Sequence, residues 1–137
     1  MTVQLSDGSA QLAGILLLTL VAVAYGGTFM LRVVTAKAPA TPFQQSFFRA
    51  GHAHAGVLVI LSLVCVILVD ATGLDGFAAF VAAHGVPAAA ILIPGGFFFS
   101  AIGRERTSPN RWIVLIWLGA VCLAAGLLTL GIGLLIR

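Results

Sequence analysis

The chain has 137 residues, 61% of them hydrophobic and 8% charged, which excludes both an ordinary water-soluble globule and a disordered segment. A mean hydropathy of +1.15 places it in the integral membrane class. Its formal charge of +3 comes from bases scattered through the connections rather than gathered on one face, so no nucleic-acid partner is expected.

Four apolar stretches, 12–34, 50–71, 77–102 and 111–136, each reach about the 20 residues that cross a hydrocarbon core of ~30 Å. A backbone in lipid must bond within its own segment, so the expected fold is an all-α, polytopic four-helix transmembrane bundle forming one domain, 1–137. Its helices are expected at about 12–34, 42–71, 77–102 and 109–136. Met1 to Ala10 carries no base, and the first apolar stretch is too long for a secretory signal, so helix one is read as retained. Arg32, Lys37 and Arg49 surround the first connection and Arg104, Arg106 and Arg111 the third, leaving only Arg137 elsewhere. The positive-inside rule then puts loops one and three in the cytoplasm and both termini outside, in a bacterial inner membrane.

In helix one, Tyr25, Thr28 and Arg32 form a polar line, and Thr19, Ala22 and Gly26 a short run of small residues. Helix two opens with Thr41-Pro42-Phe43-Gln44, the pattern of a capping box with proline at the first helical position. Its first turns are expected at the interface, with Phe43, Phe47 and Phe48 among headgroups and Gln44, Gln45 and Arg49 facing water. Helix three carries Pro87 and Pro94 on nearly one face, which deprives the carbonyls of Ala83 and Ala90 of their usual donors. In lipid that face should look into the protein. Ser108-Pro109 is expected to cap helix four. Along it Gly119, Cys122, Gly126, Thr129 and Gly133 fall on one face, a stripe for close helix packing whose partner, inside the chain or in a second copy, the pattern leaves open. Four helices bury few faces, so a homo-oligomer or a larger membrane complex is expected beside the lipid bilayer.

No Asp, Glu, Lys or Arg lies at the centre of a span, so the candidates for chemistry are His52, His54, His84, Tyr25, Arg32 and Arg49. His52 and His54 enter the membrane near the cytoplasmic end of helix two, about 200° apart on the helix, and cannot close on one small ion. His52 shares a face with Gln45, Arg49 and Gly56. His54 shares one with Phe47, Ala50 and Leu61, where Ala50 leaves room for something flat. The line Tyr25, Thr28, Arg32 lies at comparable depth and is expected to meet the polar stripe of helix two. The bland alternative for all of these is an interfacial polar belt. His84 lies deeper from the opposite end. It is read either as a neutral imidazole bonded to a carbonyl freed by Pro87 or to a hydroxyl, or as part of a proton or ion route or an axial ligand. Cys65 and Cys122, at a similar depth, are read as buried apolar residues, with a soft Cys/His copper site as the alternative. Ser62, Ser100, Thr19 and Thr129 have no nucleophile-base pattern around them, so catalysis by the chain alone is not expected.

The run Arg49, His52, His54, Gly56 resembles the His-x-His helices of membrane haem-copper proteins, including the oxidase catalytic subunit and nitric-oxide-response proteins. The chain as a whole is similar to small uncharacterised bacterial four-helix membrane proteins, a likeness that implies no activity. The first resemblance implies that His52 or His54 ligates haem iron or copper and that Arg49 or Arg32 pairs with a haem propionate. Three readings follow. The first is a protein binding haem or a transition metal near the cytoplasmic side through His52, His54, Arg49, Arg32 and Tyr25, as a respiratory-complex subunit or accessory. The second is a homo-oligomeric channel or transporter with a polar route past His84, Pro87 and Pro94. The third is a structural subunit whose contact surface is the helix-four stripe.

Overall fold

The computed structural model describes residues 4–136, so Met1 to Val3 and Arg137 lie outside the described residues. It contains α1 Asp7–Val34, α2 Pro42–Val69, α3 Gly76–Ala101 and, after a 3₁₀ turn at Arg111–Ile113, α4 Val114–Leu135. All four are long and apolar enough to cross a membrane. With no strand among the described residues, the fold is the expected all-α bundle.

Helix ends follow local chemistry. Thr41 accepts from the Gln44 amide while the Gln44 side chain accepts from the Thr41 amide, so the capping box is formed and Pro42 stands at the first helical position. Helix α1 starts a turn and a half earlier than its apolar run, because Ser6 caps it and accepts from the Ser9 amide. The 3₁₀ turn that leads into α4 is capped by Asn110 and not by Ser108-Pro109, and α4 itself follows without a side-chain cap. The Asn110 side-chain oxygen accepts from Trp112 N at 2.8 Å, while its Nδ2 donates to the Phe99 carbonyl at 2.9 Å. One side-chain amide thus ties the start of the turn to the end of α3, its oxygen accepting and its nitrogen donating.

Packing runs in chain order: α1 lies on α2, α2 on α3 and α3 on α4, with a small α2–α4 contact. The core has two parts. Leu16, Leu58, Val59, Val66, Ala89, Ala90 and Ile93 join α1, α2 and α3, and Cys65, Val69, Ala82, Val86 and Leu130 join α2, α3 and α4. Lipid is as apolar as leucine, so close approach of backbones and van der Waals packing hold such helices together.

The closest approach of one helix backbone to another answers the question of the helix-four stripe. A Cβ built on Gly85 of α3 would stand 2.7 Å from the Gly126 Cα and 2.8 Å from the Cys122 carbonyl oxygen. Gly119 lies in the same way on Ile93, and Gly133 on Leu74. Thr129 is half-buried on the same side. The stripe therefore packs inside the chain, mainly on α3. Pro87 is half-buried and Pro94 buried, and α3 runs through both as one helix.

The six described bases gather at one end of the bundle, and that end is stitched by side chains. Gln44, expected to face water, is 7% exposed and donates from Nε2 to the carbonyls of Ala101 at 3.0 Å and Gly103 at 2.8 Å. The Thr41 hydroxyl donates to the Arg106 carbonyl. These bonds take up carbonyls that the end of α3 would otherwise leave open.

Candidate functional site

Position 51 is a glycine because the Phe98 ring lies against it, 2.9 Å from where a Cβ would stand. Phe98 stacks on Phe48 at 5.8 Å between ring centres, and Phe48 meets Phe29 of α1 edge-on at 5.5 Å. On the opposite side of α2, Phe97 meets Phe47 at 5.4 Å and His54 at 5.1 Å. Adjacent phenylalanines of α3 thus sort to the two sides of α2, and the two histidines sort with them.

His52 turns to α1. A Cβ on Gly26 would lie 3.8 Å from its Nδ1 and one on Gly27 3.6 Å from its Nε2, so the imidazole faces a strip of α1 that carries no side chain. The ring is half-buried and has no hydrogen-bond partner among the described residues. It lines a groove of about 390 Å³ with Thr19, Ala22, Gly26, Ala55 and Phe98. The Thr19 hydroxyl is already committed to the Ile15 carbonyl at 2.9 Å, so His52 is the polar group left open in an apolar groove. The small residues Thr19, Ala22 and Gly26 of α1, with Ala55 of α2, create this space.

His54 is differently placed. Its Nδ1 is 2.7 Å from the Ala50 carbonyl, one turn back on its own helix. A carbonyl only accepts, so Nδ1 carries the proton and Nε2 keeps its lone pair in the neutral ring. The flat partner for which Ala50 leaves room is Phe97 of the same chain.

Tyr25, at 78% exposure, does not face His52, and Thr28 donates back to the Tyr25 carbonyl at 2.7 Å. The two polar stripes do not meet, because the glycine pair one step further along α1 takes the contact. Arg32 in the last turn of α1 and Arg49 in α2 are exposed, with no ion pair among the described residues. Both lie toward the basic end from His52.

His84, at the other end, bonds through Nδ1 to the Phe80 carbonyl at 3.0 Å and stacks on Phe80, with 4.5 Å between ring centres. Its partner is thus neither the carbonyl freed by Pro87 nor a hydroxyl. Among the described residues no three of His, Cys, Asp and Glu converge as metal ligands, and Cys65, Cys122 and His84 are not brought together. The sequence pattern singles out His52 but not its contact, for which the Gly26-Gly27 pair is the available signal.

Comparison with protein-family models, with curated proteins and with solved structures finds no match to this chain.

Proposed function

We propose that this chain is a multi-pass membrane protein that binds haem in the groove between α1 and α2, with His52 as an iron ligand. The observation that carries the reading is the half-buried His52 imidazole, without a hydrogen-bond partner among the described residues, in an apolar groove of about 390 Å³. That volume falls within the range of roughly 300–1,000 Å³ typical of small-molecule and cofactor sites. A bare transition metal draws three or four ligands from the protein, whereas haem brings its own ring nitrogens and needs only axial ones. One imidazole beside a strip of glycine and alanine suits the second case. When bound, haem supplies an iron that takes up or gives out one electron.

Each neighbouring residue then has a task. Gly26 and Gly27 leave space beside the ring nitrogens, Phe29 and Phe98 close the groove, and the apolar walls exclude water. Arg32 and Arg49, toward the basic end, are the partners for propionates. The positive-inside rule supports loops one and three in the cytoplasm of a bacterial cell and both termini outside. The site then lies toward the cytoplasmic leaflet, where a respiratory-complex subunit or accessory protein would receive electrons from the cytoplasmic side.

The test is the oxidised and reduced optical spectrum of protein purified gently from its native membrane. A Soret band is expected, lost in His52→Ala and retained in His54→Ala. A colourless protein that also fails to bind added haemin would reject the reading.

A further inference from the structure

A second cavity lies at the end of the bundle away from the basic loops. It has a volume of about 440 Å³, and its walls come from the start of α1, the end of α2 and the start of α3. Leu12, Val69, Leu74 and Phe80 make it largely apolar, and Asp70 and His84 are its titratable residues. The buried Leu16 cluster lies between it and the His52 groove, which begins at Thr19.

The two titratable groups are held in a particular state of readiness. Asp70 accepts from Ser6 N at 2.8 Å on one oxygen and from the hydroxyls of Ser6 at 3.1 Å and Ser9 at 2.9 Å on the other. All three donors are neutral, and no ion pair to Asp70 exists among the described residues. The single Ser6 hydroxyl proton also has Ser9 Oγ within reach at 3.0 Å, and a carboxylate offers about four acceptor positions, so at least one remains. The N-terminus of α1 contributes roughly half a positive charge, which offsets only part of the carboxylate charge. The Nδ1 proton of His84 is committed to the Phe80 carbonyl, so the neutral ring presents Nε2 as an acceptor. Ala83, whose carbonyl loses its helical donor to Pro87, lines the same cavity. The site is therefore rich in acceptors, negative in charge and apolar in its walls.

We propose that this cavity is a binding site for an organic ammonium ion with an apolar body, held by Asp70 and by Nε2 of His84. An anion meets a carboxylate and no described cation. A single metal ion would meet two protein ligands in a cavity far larger than itself. An ammonium group supplies the positive charge and the N–H donors these acceptors lack, and its hydrocarbon part covers Leu12, Val69 and Phe80.

The experiment uses the full chain in detergent or nanodiscs and 2-phenylethylammonium as probe, with 2-phenylethanol as the uncharged control of the same shape. Saturable binding of the ammonium is expected, with the alcohol weaker by about ten-fold, as for loss of a charge-assisted hydrogen bond. His84→Phe keeps the ring stacked on Phe80 while removing the acceptor, and Asp70→Asn keeps the shape while removing the charge. Each should weaken binding by about ten-fold, with circular dichroism unchanged and with Gly131→Ala binding as the parent does. Equal binding of ammonium and alcohol, or parental affinity in His84→Phe, overturns the proposal. So does stoichiometric, His84-dependent binding of Zn²⁺ alone without any binding of the ammonium.

Discussion

Single residues decide the tightest contacts in this molecule. At Gly85 an added methyl would meet the α4 backbone at 2.7 to 2.9 Å, and backbone cannot swing aside as a side chain can. Gly85→Ala is therefore expected to force α3 and α4 apart, at a cost of about 1–3 kcal/mol, the range for overpacking. Gly131→Ala, which meets nothing within 4 Å, is the control. Unfolding of both variants in detergent, followed by circular dichroism, measures the difference. Gln44 invites a second substitution, because its Nε2 serves two carbonyls at once. Gln44→Glu turns acceptors toward those carbonyls and should cost about 1–3 kcal/mol or more, the penalty for unsatisfied buried groups. Faster hydrogen exchange in the segment 101–110 is the expected sign. His52 and His54 make the same point at the site, since a shift of two positions sends one imidazole to α1 and the other to Phe97.

At the scale of elements, much is legible in the amino-acid pattern. Four apolar runs of spanning length permit only helices, and Thr41 with Gln44 marks the start of α2 to the residue. The glycine stripe of α4 announces a close contact. What the pattern leaves open is how each helix turns about its own axis. In water a polar face would reveal it, but these helices are apolar nearly all round, and lipid accepts either face. The line Tyr25, Thr28, Arg32 consequently reads as an inward stripe, while the contact goes to Gly26 and Gly27, which carry no polar signal at all. Gly85 is equally silent, a lone glycine whose meaning depends on Gly126 lying opposite. At the start of helix four both Ser108 and Asn110 are cap-type residues, and what local pattern does not record is the bond from the Asn110 side chain to the Phe99 carbonyl.

For the whole molecule, charge and packing give separate information. The six described bases at one end, with Asp70 and Asp75 at the other, predict the orientation. In intact cells a membrane-impermeant maleimide is expected to label Asp75→Cys and to leave Lys37→Cys untouched, and the opposite pattern would invert the topology. The α4 stripe is consumed within the chain, so a homo-oligomer, if formed, uses other surfaces. Gly126→Leu should therefore lower the stability of the fold itself, read by detergent unfolding, before it alters any assembly.

The packing of each helix on its neighbours in sequence also divides the molecule by dependence. The lining of the His52 groove comes from residues 19–98 of α1, α2 and α3, whereas α4 supplies none of it and packs chiefly on α3. A disturbance at the α3–α4 seam therefore travels to the groove chiefly through α3.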